Sequence, residues 1–174
     1  MFQGKLTFIP LVFAMVSGAS HGQSLPTAGL GAELREAGTG RLRFLGFRVY
    51  DARLWITGQR FDSTQPFALG MKYAMEFSAE QIAKQSIEEI KRVTTGADAS
   101  HDDWNERMKR VFPNVKAGDE LVGANIPGVG ARFFYNGRLV GEIADPAFAH
   151  AFFSIWLDPR TREPALRAAL LGEK

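Results

Sequence analysis

The sequence predicts an α+β domain in which helices cover one side of an antiparallel sheet. Three observations lead to this class. Segments rich in aromatic and β-branched residues are followed by two amphipathic helical patterns, a series of short strands comes next, and an Asn-Gly pair separates two of those strands. Strands and helices that are grouped rather than alternating are typical of α+β domains. At 174 residues, 45% of them hydrophobic, the chain is long enough for one packed domain.

In the first half of the chain, residues 41–56 have the strongest β pattern, since they are dense in aromatic and aliphatic side chains. Both faces of such a strand are apolar in the middle. We therefore expect other parts of the protein to pack on both faces of the strand, or a bulge near Gly46 that exchanges its buried and exposed faces. Residues 67–73 predict a further strand. A helix begins after Ser78, because Ser78 and Gln81 fit a capping box, and its apolar residues recur at helical spacing.

The second half begins with a shorter helix over residues 103–112, which Pro113 ends. The pair Asn136-Gly137 lies between two apolar segments and predicts a tight hairpin, because both central residues of such a turn need positive φ. Asp145 precedes Pro146 and fits the N-cap of a third helix. The remaining predicted elements are strands at 120–126, 131–135 and 138–143, the third helix to about residue 153, and a last helix from Pro164 to Leu171.

Residues 1–22 are typical of a secretory signal peptide. Lys5 supplies the positive charge, residues 6–16 form a short apolar stretch, and small residues follow, with cleavage expected after Ala19 or Gly22. The stretch is too short to span a bilayer as a helix, and Pro10 interrupts it. The alternative is an N-terminal core strand. The preferred interpretation is an exported chain, periplasmic or secreted, whose residues 23–174 form the domain.

The composition excludes several classes of function. Twenty-one Lys and Arg residues against nineteen Asp and Glu residues give a net charge of +2, which is too small to bind nucleic acid by bulk charge. The absence of cysteine excludes disulfides, thiolate zinc sites and a cysteine nucleophile. No other apolar segment of the sequence approaches the length of a membrane span. We expect neither a metal nor another cofactor.

The remaining polar motifs carry little chemistry. His101 and His150 have no second ligand at metal-binding spacing. His150, Ser154 and Asp145 lie within ten residues and lack a G-x-S-x-G elbow, so a hydrolytic triad is not expected. The Gly-x-Gly pairs lack the third glycine of a dinucleotide site, and we interpret them as turns: Gly29/Gly31, Gly38/Gly40 and Gly128/Gly130.

Charged residues inside the aromatic segment are more informative. A guanidinium in an apolar site needs a carboxylate or phosphate partner, because an isolated buried charge is very costly. Arg48 and Tyr50 are two residues apart and would share one face of an unbroken strand, where they could hold an anionic head group. The alternative is that the arginines extend into solvent at strand edges or pair with Asp51 and Glu142.

Two sets of residues resemble the bacterial chalcone-isomerase-like family. The first set is Gly38-Thr39-Gly40 followed by the segment from Arg48 to Trp55, and the second is Phe133-Phe134-Tyr135-Asn136-Gly137 followed by Gly141-Glu142-Ile143 and Phe152 to Leu157. They occur in order over nearly the whole chain that follows the signal. The resemblance implies an open-faced β-sandwich, with helices layered on one face of an antiparallel sheet and a ligand cleft between the layers.

The catalytic pattern of the family is not retained at the matching positions. The resemblance places the hydroxyl of the first long strand on Tyr50 and the arginine on Leu42, which Arg41 and Arg43 flank. The tyrosine of the covering helix falls on Phe77 or Ser78, and the asparagine falls on Gln85 or Ser86. Cyclisation of a chalcone needs fixed donors for the developing enolate, and these side chains supply them poorly.

The resemblance therefore implies a non-catalytic protein that binds a small apolar anion, such as a fatty-acid-like molecule or an aromatic acid, between sheet and helices. The sequence is also compatible with two other functions. One is an isomerase or lyase that acts on an unsaturated carbonyl compound, as chalcone isomerase does, and the other is a structural or partner-binding protein of the envelope. The candidate ligand-binding residues are Arg41, Arg43, Arg48, Tyr50, Gln85 and Ser86.

Overall fold

A computed structural model describes residues 33–95 and 100–173. Within these residues the chain forms six strands and four helices. In chain order they are β1 (Arg35–Phe44), β2 (Phe47–Ile56), β3 (Phe67–Tyr73), α1 (Ala79–Val93), α2 (His101–Val111), β4 (Glu120–Ile126), β5 (Gly130–Tyr135), β6 (Arg138–Ile143), α3 (Pro146–Leu157) and α4 (Pro164–Leu171). The predicted signal peptide lies outside the described residues.

The six strands form one antiparallel sheet in which every strand pairs with its neighbour in the sequence. Helices α1 and α2 lie between β3 and β4 in the chain, yet these two strands still pair along their length, from Phe67 opposite Asn125 to Lys72 opposite Glu120. The helices pack on one face of the sheet, where they enclose the main core. The predicted α+β class, with an antiparallel sheet and helices on one side, is therefore confirmed.

The prediction of one long strand over residues 41–56 is wrong, because the chain reverses at Leu45-Gly46. Both residues have positive φ, 49° and 84°, as a two-residue hairpin turn requires. Leucine rarely adopts this conformation, so the pair lacks the Asn-Gly or Asp-Gly signature of such turns. The expected irregularity near Gly46 is thus a complete turn. A register shift also leaves Val49 out of the pairing, since Leu42 pairs with Tyr50 and Arg43 pairs with Arg48.

The interpretation of Gly38 and Gly40 as turn residues is also wrong. Both lie inside β1, directly beneath α4. A Cβ on Gly38 would overlap the carbonyl oxygen of Ala169 and lie 2.7 Å from that of Leu170. These glycines let helix backbone approach strand backbone. The Gly128/Gly130 pair does form the β4–β5 turn, with positive φ at both residues, whereas Gly29 and Gly31 lie outside the described residues.

The helix termini follow the local sequence signals. The Ser78 hydroxyl accepts a hydrogen bond from the backbone N–H of Gln81, and the Gln81 side chain accepts one from the backbone N–H of Ser78, which confirms the capping box. Asp145 caps α3 through the N–H groups of Ala147 and Phe148. Helix α3 continues four residues beyond the predicted end at Phe153, because 155–157 are helical and buried.

Aromatic side chains dominate the core between the sheet and the helices. They meet mostly edge-to-face, the arrangement that the ring quadrupoles favour, and the members are Phe112, Phe133, Phe148, Phe152, Phe153, Trp104 and Trp156. A smaller buried cluster lies on the opposite face of the sheet around Trp55 and Phe134. The expectation that both faces of residues 41–56 are covered in the middle is wrong, because Phe44, Leu45 and Phe47 at the turn are exposed. A buried cluster on the second face occurs only farther along, around Trp55.

Among the described residues, no helix has both the length and the apolar character needed to cross a membrane. The same residues contain no group of three or more His, Cys, Asp or Glu side chains placed to hold a metal ion.

Candidate functional site

A groove of about 410 Å³ lies between α3 and one end of the sheet. Its walls come from the β2–β3 loop, the ends of β3 and β4, the β4–β5 turn, and the outer side of α3 with the turn that follows it. Its volume falls within the roughly 300–1,000 Å³ of small-molecule sites. The lining residues are Phe61, Ser63, Thr64, Phe67, Asn125, Ile126, Pro127, Gly128, Pro146, Ala149, His150, Phe153, Ser154, Leu157, Asp158 and Pro159.

The floor of the groove is apolar. Phe67 at the start of β3 packs edge-on against Phe61, with 5.1 Å between ring centroids, and against Phe153 of α3 at 4.9 Å. Leu157 and Ala149 extend the floor along α3 and are both buried. These contacts join the loop, the sheet and the helix, so the shape of the floor is fixed by the core itself.

Polar groups line the rim of the groove. The Asn125 side chain donates a hydrogen bond to the backbone carbonyl of Gln65 at 3.2 Å and has a second N–H. The exposed His150 faces the groove from α3. Asp158 accepts two hydrogen bonds of 2.9 Å from the guanidinium of Arg160, and this pairing, with a smaller contribution from His150, lowers the pKa of Asp158 to about 2. The rim thus combines an ionised carboxylate that is paired with an arginine, an amide and an imidazole.

Ser154 and Asp145, which lie close to His150 in the sequence, make hydrogen bonds that stabilise helix α3. The Ser154 hydroxyl donates to the backbone carbonyl of His150 at 2.7 Å. The Asp145 carboxylate caps the helix and accepts a hydrogen bond of 2.9 Å from the indole N–H of Trp104. Both polar side chains are thus engaged in local structure, and the cap by Asp145 is the one that the sequence predicted.

Tyr50 lies at a different place between the sheet and the helices. Its ring packs against the core and meets Tyr73 edge-on, with 5.9 Å between centroids. Its hydroxyl accepts a hydrogen bond of 2.8 Å from the indole N–H of Trp156, near the end of α3. Burial raises the pKa of Tyr50 to about 12. The phenol is therefore neutral at physiological pH, and Trp156 occupies the space beside it.

The two candidate residues on α1 are in different environments. Ser86 is buried, and its hydroxyl donates to the carbonyl of Ile82 at 2.8 Å. Gln85 is exposed, and its amide donates to the Glu89 carboxylate at 3.3 Å. The structure thus places Tyr50 and Ser86 inside the molecule and Gln85 on its surface.

The candidate arginines gather around Asp51 rather than around Tyr50. Arg41 lies 2.6 Å from the Asp51 carboxylate and Arg48 lies 2.8 Å from it, while Arg43 donates to the carbonyl of Gly46 at 3.1 Å. The bulge at Val49 explains this arrangement, because it breaks the alternation that would place Arg48 and Tyr50 on one face. The geometry matches the alternative in which arginines pair with Asp51. A role of these arginines in ligand binding stays a prediction.

The sequence analysis singled out His150 and Ser154 only as members of an unlikely triad, and it identified none of the lining residues as part of a groove. Phe61 and Asn125 are 64 positions apart in the sequence, and no local pattern connects them. A usable signal was the run of apolar residues in α3, which is too uniformly apolar to be an ordinary surface helix.

Loss of the Tyr50 hydroxyl provides a direct test of the Tyr50–Trp156 contact. We expect Tyr50→Phe to lower the free energy of unfolding by about 1–3 kcal/mol, because the indole N–H of Trp156 is left buried without its acceptor. Urea denaturation measures this change. In a cycle with Trp156→Phe, the effects of the two substitutions should be clearly non-additive; additive effects would show that the hydrogen bond contributes nothing.

The family described as chalcone isomerase-like matches residues 14–172. The chain belongs to the chalcone isomerase-like family. Its fold is also that of a solved structure, a fatty-acid binding protein of Arabidopsis thaliana. The two chains share 11% sequence identity with a TM-score of 0.64, over 81% of this chain and 88% of that one. No curated protein sequence matches the chain.

The pairing of β1 with β2 places two of the positions that match catalytic residues of the chalcone isomerase-like family next to each other. Leu42, which matches the family's arginine in the resemblance, lies directly opposite Tyr50, which matches its strand hydroxyl. Leu42 also packs against the core. The tertiary structure thus brings these two positions together and places an aliphatic side chain where the resemblance implies a cation.

Proposed function

We propose that this chalcone isomerase-like protein binds a small apolar anion, a fatty-acid-like molecule or an aromatic acid, without catalysis. The observation that carries the proposal is the groove of about 410 Å³ between the sheet and α3, with its apolar floor. The fold shared with a fatty-acid binding protein is consistent with it. Export before binding is part of the proposal and rests on the signal pattern of residues 1–22.

The floor supplies the binding energy in this proposal. Phe67, Phe153 and Leu157 offer preformed apolar surface to an acyl chain or an aromatic ring. Each buried CH₂ group contributes about 0.8 kcal/mol before the costs of association. A chain of several methylene groups therefore suffices for saturable binding.

The rim supplies the recognition of the acid group. His150 faces the groove, and Arg160 adds a guanidinium where it pairs with Asp158. A ligand carboxylate can accept hydrogen bonds from the imidazole and from the free N–H of Asn125. The positive charge of Arg160 compensates the negative charge of Asp158, which lowers the repulsion between that carboxylate and the ligand.

The residues at the positions that match the family's catalytic groups do not favour catalysis. Leu42 faces Tyr50 where the family resemblance implies an arginine, and the Ser78 hydroxyl is engaged as a helix cap. Ser86 is engaged with a backbone carbonyl of its own helix. Fixed donors for a developing enolate are therefore lacking at these positions, and a chalcone assay should show no turnover.

A substitution that narrows the groove tests the proposal. Ser63 lines the groove on an exposed loop, so Ser63→Trp fills space without disturbing the core. We expect calorimetric titration with dodecanoic acid or cinnamic acid to show saturable binding, and Ser63→Trp to weaken it at least about tenfold, which is 1.4 kcal/mol. The matched control is Thr39→Trp, an exposed position on β1 outside the groove, which should bind as the wild type does.

Three outcomes would contradict the assignment. Absence of saturable binding of either acid would reject the binding function. Equal affinity of the wild type and Ser63→Trp for the acid would reject the groove as the binding site. Loss of binding in Tyr50→Phe, with Ser63→Trp unaffected, would place the ligand at the candidate residues around Tyr50 instead. Native mass spectrometry of the protein recovered from its host tests export in parallel, through the loss of the segment that ends at Ala19 or Gly22.

A further inference from the structure

The turn between β1 and β2 presents apolar side chains to solvent. Phe44, Leu45 and Phe47 are 68%, 81% and 69% exposed, and together with Gly46 they form the tip of the hairpin. We call these four residues the β1–β2 tip. Isolated exposed apolar residues are common on protein surfaces, but three large ones within four positions form a contiguous patch.

Folding does not require this composition. The β5–β6 hairpin has the same kind of two-residue turn with positive φ, and there the chain uses Asn136-Gly137. Asn-Gly suits such a turn much better than Leu-Gly, because leucine is strained at positive φ. Leu45 therefore costs the fold free energy, and the tip leaves three large apolar side chains in solvent. Such a cost is expected where the residues contact something outside the chain.

Basic side chains surround the tip. Arg43 is held against the turn by its hydrogen bond to the carbonyl of Gly46. Arg41 and Arg48 both pair with Asp51, so two guanidinium groups share one carboxylate. All three arginines are exposed. An excess of positive charge thus surrounds an apolar tip, and this arrangement is complementary to an anionic lipid surface, with phosphates above hydrocarbon.

We infer that the β1–β2 tip docks this protein on an anionic membrane surface, with Phe44, Leu45 and Phe47 in the interfacial layer and the flanking arginines on lipid phosphates. Guanidinium groups suit this role because they bind phosphate through paired N–H donors. A lipid surface is favoured over a protein partner because a four-residue turn is much smaller than the roughly 1,000 Å² of a specific protein interface. Insertion into lipid needs no complementary shape.

This inference goes beyond the proposed ligand binding and does not depend on it. The tip lies at one end of β2, whereas Phe67 of the groove pairs with Ile56 at the other end. The two surfaces can therefore be altered separately. A groove variant such as Ser63→Trp should leave membrane binding unchanged.

Co-sedimentation with vesicles tests the inference. We expect the protein to bind vesicles of phosphatidylcholine and phosphatidylglycerol, to bind phosphatidylcholine vesicles much more weakly, and to dissociate as salt is added. The double variant Phe44→Ser/Phe47→Ser should lose at least tenfold in vesicle affinity, and Arg43→Gln should lose about fivefold. All forms share the same N-terminal segment, so differences between them report on the tip.

The matched controls lie away from the tip. Leu139→Ser removes an apolar side chain that is 60% exposed from β6, the opposite edge of the sheet, and Arg60→Gln removes an exposed cation from the β2–β3 loop. Both should bind vesicles as the wild type does. Because the chain has no cysteine, Phe44→Cys can carry a single environment-sensitive fluorophore. Its emission should shift to the blue with anionic vesicles, and the emission of the same fluorophore on Leu139→Cys should not.

Several results would overturn the inference. These are absence of binding to either kind of vesicle, equal binding to both kinds, or tip variants that bind as the wild type does. A protein partner would be revealed if Phe44→Ser/Phe47→Ser changed the mass of the protein in solution and left vesicle binding intact. In that case the tip contacts a second copy of the chain rather than lipid.

Discussion

Replacing Phe152 with alanine is expected to lower the free energy of unfolding by about 3–5 kcal/mol. The Phe152 ring is 2% exposed and lies at the centre of the aromatic core. It has ring contacts with five neighbours, which are Phe112, Phe133, Phe148, Phe153 and Trp156. Because these rings belong to β5, to α3 and to the residue that follows α2, the cavity could not close by a movement of one element. Chemical denaturation measures the loss.

The same substitution at an exposed position is the control for Phe152. Phe44→Ala removes an identical side chain that is 68% exposed, and we expect its effect on stability to stay within about 0.5 kcal/mol. If Phe152→Ala and Phe44→Ala had similar effects, the packing of helices on the sheet described above would be wrong.

Gly38→Ala is expected to cost about 3 kcal/mol, the upper part of the usual range for overpacking. The added methyl group would overlap the backbone carbonyl oxygen of Ala169 and approach that of Leu170 at 2.7 Å. Backbone atoms in α4 cannot rotate out of the way, so the helix would have to separate from β1. Urea denaturation should show the loss of stability, and hydrogen exchange should show increased opening of α4.

Gly40→Ala is the matched control for the close approach at Gly38. A Cβ on Gly40 meets side-chain atoms, Leu166 Cδ1 at 2.5 Å and Ala169 Cβ at 3.2 Å, and the leucine can change its rotamer. We expect a clearly smaller loss of stability than for Gly38→Ala. Equal losses would indicate that strand propensity, rather than the contact with α4, determines the effect.

The sequence by itself determined the elements whose signals are local. The capping box at Ser78, the Asp145 cap before Pro146 and the Asn136-Gly137 turn each depend on residues within a few positions of one another. These signals, with the periodicity of apolar residues, predicted the fold class and the strands and helices after residue 66. The family resemblance predicted the layered arrangement of sheet and helices, and the family match agrees with it.

Only the tertiary structure decided where the functional surfaces lie. The Tyr50–Trp156 hydrogen bond joins residues 106 positions apart, and the groove combines a loop, two strand ends and a helix. One residue left out of the pairing, Val49, moved Arg48 away from Tyr50 and onto Asp51. The physical reason is that side-chain direction in a strand reverses at every residue, so a single register shift regroups every charge beyond it. Local patterns specify elements, but contacts between distant residues depend on register and packing that no local pattern contains.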